Sequence, residues 1–358
     1  MSLDFSAAFD TLSVDVLVAK LRKIGAHPDT VKLFVSYLTG GTQAVEWNGK
    51  LSDLLPVSSC CRQGSLLGPM LFLLASSDVP LSLAFPSAYA DDAAGADTNV
   101  DVLQPQVSEL EKAAAAAGLR INGAKSQLLI VGRKISDSYI MVDGCKVDAG
   151  TTLDLLGMRF DWRLSTDEYV DSLIVDLKRR LAVLRLLRPR LPKKAFAMVC
   201  QGILIGKVST YAAHYAPVRL NESEPVSGRL RAVQTVLNDL YRLMSGYWRS
   251  DHVTIRDLLK ATGLPTLNEM AAREAVTIIW ESYTDPAAPL ASILDDLRPS
   301  TTSRAHSMCK LNAPDPSNVL LASGVRLWNL HATSLAALKT KASVKNYVKT
   351  KIWPSLPV

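Results

Sequence analysis

The sequence predicts an α+β fold over residues 1–150, continued by a mostly helical remainder. Three observations carry this. Short extended runs alternate with amphipathic helical runs through the first 150 residues, whereas helical periodicity dominates from about residue 169 onward. Asn48-Gly49 stands between two extended runs in residues 42–57, a strong short-range hairpin signal. Tyr89-Ala90-Asp91-Asp92 places two adjacent carboxylates where a short strand should turn.

Taken in order, residues 14–24 and 31–38 space their apolar side chains as helices do, and residues 66–75 read as a buried helix. Residues 81–85 and 93–96 read as strands on either side of the Asp pair. The Ala-rich stretch 101–117 reads as a helix, and Leu128-Leu129-Ile130-Val131 as a short strand. Asn122-Gly123-Ala124-Lys125 reads as a solvated turn after that helix. In residues 169–187, Val170, Leu173, Ile174, Leu177, Leu181 and Leu184 mark one face of an amphipathic helix. Residues 178–194 then carry eight basic side chains and no acidic one. From residue 222 the pattern stays helical, with breaks at Pro265, Pro286, Pro299 and Pro314.

A chain of 358 residues, 48% hydrophobic and 21% charged, is globular in composition. Its net charge of +6 favours an anionic partner. Cys60, Cys61, Cys145, Cys200 and Cys309 form no C-x-x-C pair. That usage fits a reducing compartment and argues against a zinc knuckle. No apolar stretch is long enough to span a bilayer and no leader is evident, so the expectation is a soluble intracellular protein with no membrane partner. Nucleus and cytoplasm are not distinguished, nor is the oligomeric state.

Adjacent aspartates repel and raise each other's pKa. A hard divalent cation offsets that, as magnesium does when one or two carboxylates and substrate phosphates surround it. A second carboxylate stands in Leu3-Asp4-Phe5-Ser6-Ala7-Ala8-Phe9-Asp10, with Phe9 five residues after Asp4. Arg62-Gln63-Gly64-Ser65-Leu66-Leu67-Gly68-Pro69 and Asn122-Gly123-Ala124-Lys125-Ser126 complete a series of four segments. In this order they resemble motifs A, B, C and D of the reverse transcriptases of non-LTR retrotransposons. Leu153-Asp154-Leu155-Leu156-Gly157-Met158 resembles motif E of the same family, and Gly324-Val325-Arg326-Leu327-Trp328-Asn329 resembles its C-terminal wording.

The resemblance implies an RNA-directed DNA polymerase using an RNA template, a DNA primer and dNTPs, with two Mg2+ ions expected and Mn2+ able to substitute. It implies a palm built on an antiparallel sheet with packed helices over residues 1–150, motif E and a helical thumb over 151–221, and a helical region of unassigned role over 222–358. Asp4, Asp91 and Asp92 would be the catalytic metal ligands, joined by the carbonyl of Phe5, and Lys125 the acid for departing pyrophosphate. Phe9 would gate against a ribose 2′-hydroxyl. Gln63, Gly64 and Ser65 would contact the template–nucleotide pair, and Leu156 and Gly157 would grip the primer end. The basic stretch 178–194 would contact duplex phosphates.

Two departures leave an alternative open. Cys60-Cys61-Arg62-Gln63-Gly64 replaces the family's usual Gly-Val-Pro-Gln-Gly, and only three residues precede Asp4, so the family's fingers are expected to be absent. The alternative is a catalytically inactive remnant that retains nucleic-acid binding. An RNA-copying polymerase making RNA is disfavoured, because such enzymes carry Gly before the Asp pair and a small residue in place of Phe9.

Overall fold

The computed structural model describes residues 1–6, 13–57, 64–134 and 137–357. Two compact units form, Met1–Ser165 and Thr166–Val358.

The first unit is mixed α/β. β1 (Ser2–Ser6) alternates buried Leu3 and Phe5 with half-exposed Ser2, Asp4 and Ser6, so one face enters the core while the other carries the carboxylate. Two helices follow, α1 (Val14–Lys23) and α2 (Pro28–Leu38), burying Leu17, Leu21, Val31 and Leu38. The segment after them is a pair of two-residue ladders. β2 (Thr42–Gln43) pairs with β5 (Leu55–Pro56), and β3 (Glu46–Trp47) with β4 (Lys50–Leu51). Asn48 and Gly49 join β3 to β4 with φ of 50° and 75°, the double left-handed turn that this dipeptide favours.

Helix α3 (Gly68–Ser76) buries Leu71, Phe72 and Ala75 but leaves Met70 and Leu73 exposed, so it is half-buried where its composition suggests full burial. Lys20 of α1 locks its end, donating to the Ala75 carbonyl at 2.8 Å and pairing with Asp78 at 3.2 Å.

The expected strand over residues 81–85 does not form. Pro80 opens a 3-10 turn, Val79–Ser82, and Pro86 follows Phe85, whose φ of 47° is left-handed. β6 begins only at Ser87 and runs to Tyr89, and β7 spans Asp92–Ala94. Helix α4 (Val100–Ala116) follows, then β8 (Arg120–Leu129), β9 (Tyr139–Val142) and β10 (Cys145–Gly150).

These strands form one six-stranded sheet in the order β6-β7-β1-β8-β10-β9. It is antiparallel except where β10 runs parallel to β8 at Ala149↔Leu128 and Gly150↔Leu129. Both Asp segments therefore sit on adjacent inner strands. A two-stranded hairpin, β11 (Thr152–Leu155) and β12 (Met158–Asp161), closes the unit.

The Asn122-Gly123-Ala124-Lys125 segment is not a turn. It lies inside β8, in a bulge: Ser2 of β1 faces Gln127 while Asp4 faces Asn122, so residues 123–126 are accommodated opposite a single position. Ser126, buried, closes the bulge by donating from Oγ to the Asn122 carbonyl at 2.8 Å. Gly123 is required there. A Cβ would stand 2.3 Å from the Val142 carbonyl oxygen and 2.8 Å from Cys145 Cβ.

The second unit is helical. α5 (Asp167–Leu187) buries Val170, Leu173, Ile174, Leu177, Leu181 and Leu184, the face expected from the sequence. α6 (Lys193–Cys200), α7 (Gly228–Ser245), α8 (Ile255–Thr262), α9 (Leu267–Thr284), α10 (Val319–Ala336) and α11 (Lys341–Tyr347) follow. Gly324 and Trp328 are buried in α10, where Trp328 Nε1 donates to the Cys309 carbonyl at 2.8 Å. Gly324 lets α10 approach α9, since a Cβ there would meet Ile279 Cγ1 at 2.5 Å. Among the described residues, no helix is long and apolar enough to cross a membrane.

Gly123→Val should destabilise the first unit by about 1–3 kcal/mol, because one of the atoms it meets is backbone and cannot yield. Urea unfolding would check this, and an unchanged midpoint would contradict the close approach.

Candidate functional site

Asp4 and Asp92 are direct partners across the antiparallel pair β1–β7. Directly opposed residues on such a pair share a face, with Cβ atoms about 4.5–5.5 Å apart, and like charges so placed are unfavourable. The registers either side enforce the match: Leu3 faces Ala93, and Tyr89 of β6 faces Asp92. A two-residue turn, Ala90-Asp91, links β6 to β7. Ala90 adopts a φ of 53°, uncommon for a residue with a Cβ, and the Asp91 carbonyl accepts from Phe5 N at 3.3 Å. That bond ties the turn to β1.

The electrostatics follow from this crowding. Asp92 is pushed above the ordinary carboxylate range, first by burial, then by the charges of Asp91 and Asp4. Asp92 also lines a cavity of about 270 Å³ whose other walls include Phe5, Phe72, Leu73, Pro80 and Ala90. On the other flank of Asp4, the β8 bulge brings Lys125 Nζ within 3.4 Å of Asp4 Oδ2. Lys125 is 67% exposed, so the pair is screened by solvent on its cationic side. Asp4 Oδ2 is itself buried and makes no hydrogen bond, so the ammonium supplies charge without a directional partner.

A buried carboxylate oxygen without a hydrogen bond, on a residue opposed in register to a second carboxylate, is a donor set suited to a hard cation. Among the described residues, no three His, Cys, Asp or Glu side chains form a ready-made ligand group. Magnesium does not need one, because it keeps waters and takes substrate phosphates as its remaining ligands.

The other sequence-derived residues are placed as follows. Gly64 has a φ of 79°, which only glycine adopts freely. Ser65 Oγ accepts from Gly68 N at 2.9 Å and so holds the start of α3. Leu156 and Gly157 form the β11–β12 turn with φ of 51° and 81°, flanked by the pair Leu155↔Met158. Arg159 clamps that hairpin with two bonds to Asp154 at 2.8 and 2.7 Å, which lowers the Asp154 pKa. Gln127 Oε1 accepts from Asp154 N at 2.8 Å, tying the hairpin to β8. Phe9 and Gln63, expected as sugar gate and template contact, lie outside the described residues. Sequence reading did not find the roles of Ser126 and Gln127; the only signal was their position after Asn122-Gly123.

The chain is similar to known proteins in the same region. Residues 1–160 match the family described as "Reverse transcriptase (RNA-dependent DNA polymerase)". The chain is also 24% identical over 292 residues to the "Probable RNA-directed DNA polymerase from transposon X-element" of Drosophila melanogaster. That similarity covers 76% of this chain, which spans 31% of the relative's length.

The raised Asp92 pKa fixes a pH dependence. An acid whose folded pKa lies above its unfolded value costs stability when ionised in both states, and that cost disappears once both states are protonated. Asp92→Asn should therefore raise the melting temperature at neutral pH. The gain should shrink to nothing below the ordinary Asp pKa of about 3.9. An equal gain at both pH values would contradict the crowding of the three carboxylates.

Proposed function

We propose, from the match of residues 1–160 to a reverse transcriptase family and the similarity to a transposon's RNA-directed DNA polymerase, that this protein copies RNA into DNA at the Asp4–Asp92 face. The observation that carries it is the β1–β7 register, which sets two carboxylates from separate segments opposite each other. In this reading the six-stranded sheet is the palm, β11–β12 is the primer grip, and the first helices of the second unit act as thumb.

The reaction is attack of a primer 3′-hydroxyl oxygen on the α-phosphorus of a deoxynucleoside triphosphate. A new P–O bond forms, the bond to the bridging oxygen breaks, and pyrophosphate leaves. Asp4 and Asp92 would hold magnesium, with Asp91 and the Phe5 carbonyl nearest to complete its surroundings. Bound there, the ion would supply Lewis acidity toward the triphosphate. The residues of the chain do the rest by position. Phe5 is buried and fixes β1, so Asp4 has little freedom. Lys125 lies beside Asp4, where its ammonium can offset charge on the departing pyrophosphate and donate a proton to it. The Leu156-Gly157 turn offers backbone groups to the primer end, stiffened by the Arg159–Asp154 clamp. Gly64 leaves the backbone without a side chain where motif B would approach the nucleotide.

Primer extension on an RNA template with dNTPs and magnesium tests the proposal. Asp92→Asn and Asp4→Asn should each lower incorporation by about a hundredfold or more, the scale on which one electrostatic stabiliser acts. Lys125→Met should cost less, and Lys125→Arg less again if charge is what matters. A folded parent that extends no primer but binds RNA with a steep salt dependence would favour the inactive, binding-only alternative.

A further inference from the structure

The second unit presents an exposed indole on a rigid mount. Trp248 is 77% exposed and Tyr247 43% exposed. Helix α7 ends at Gly246, whose φ of 83° closes the helix, with Gly246 N and Tyr247 N both donating to the Arg242 carbonyl at 2.8 and 3.0 Å. Trp248 N donates to Asp251 Oδ2 at 2.6 Å, and Asp251 N returns a bond to the Trp248 carbonyl at 3.2 Å. Arg249 holds the next residue by two bonds to Asp239, at 3.0 and 2.6 Å. Such a backbone gains nothing for the core by exposing its indole, yet it fixes the ring's origin before any ligand arrives, which lowers the cost of binding.

The basic stretch comes to the same helix end. Arg188 Nε donates to the Leu243 carbonyl at 3.3 Å, five residues before Trp248. On either side of Arg188 along the chain, the exposed Arg185, Lys193 and Lys194 make no ion pair among the described residues. The acids at this end are already engaged, Asp239 by Arg242 and Arg249, and Asp251 by the Trp248 backbone. The region therefore offers uncompensated positive charge beside a flat, solvent-facing aromatic surface.

We propose that residues 185–194 together with Tyr247 and Trp248 form a binding site for single-stranded nucleic acid, with phosphates on the basic stretch and an unpaired base stacked on Trp248. Cations alone would serve a duplex or any polyanion. The exposed indole is what selects an unpaired strand, because a base in a duplex is already stacked on its neighbours and has no free face to offer. The site is independent of the carboxylates and of catalysis in the first unit.

The test uses the full chain in EDTA without nucleotides, so a failure of polymerisation does not affect it. The probes are a short oligouridine and an RNA duplex, read by tryptophan fluorescence and by anisotropy of the labelled probe. Trp248→Ala should weaken oligouridine binding by about 5- to 150-fold, the range of one base–aromatic stack, and leave duplex binding unchanged. Trp248→Phe should retain most of the affinity. The double change Lys193→Ala and Lys194→Ala should flatten the salt dependence of oligouridine binding, by roughly 0.7 in log–log slope for each phosphate no longer neutralised. With helical content confirmed by circular dichroism, the proposal is overturned if the parent does not bind oligouridine. It is equally overturned if Trp248→Ala weakens both probes alike or neither.

Discussion

Two carboxylates facing each other across an antiparallel pair set the terms for the rest of the first unit. Asp4 and Asp92 are opposed by register, so neither can turn away without breaking the sheet. Asp91, in the adjoining turn, adds a third charge that raises Asp92 further. An arrangement so unfavourable in isolation persists only where the surrounding structure over-determines it. Here the buried side chains of Leu3 and Phe5 beneath Asp4, and the Phe5–Asp91 backbone bond, supply that determination.

The bulge in β8 is the complementary device. A regular strand would place its residues in simple register with β1, but the extra residues at 123–126 carry Lys125 out toward Asp4. Closure depends on small side chains. Gly123 permits Val142 to approach and Ser126 satisfies the Asn122 carbonyl internally. The same strand then offers Gln127 to the β11–β12 hairpin, so one irregular strand links the carboxylate face to the turn proposed as primer grip.

Much of this was legible in the sequence, and the failures have physical causes. The apolar stripe from Val170 to Leu184 marks α5, because it buries one face against a core. The two Asn-Gly dipeptides show where local signals end. Asn48-Gly49 is solvated on both sides and adopts the left-handed turn, whereas Gly123 is held extended between β1 and the β9–β10 corner. Tertiary packing overrode an identical dipeptide. Residues 81–85 misled for a different reason: their apolar run suggests a strand, but Pro80 and Pro86 bracket it and exclude ladder hydrogen bonds. The opposition of Asp4 to Asp92 is a register, and nothing local to either motif states it.

In the second unit, charge and aromatic exposure are set by helix ends rather than by helix faces. The buried stripe of α5 is separate from its cations, so the basic stretch remains available to a polyanion without cost to the core. Everything proposed for the first unit, however, requires that β1 and the β6–β7 turn form one cation site. Hydroxyl-radical cleavage from Fe2+ substituted for magnesium, started with ascorbate and peroxide, probes that site without any need for turnover. Backbone cuts should cluster near residues 3–6 and 89–93, and they should be suppressed by magnesium and abolished by Asp92→Asn. Cuts confined to one of the two segments, or insensitive to magnesium, would contradict a shared site.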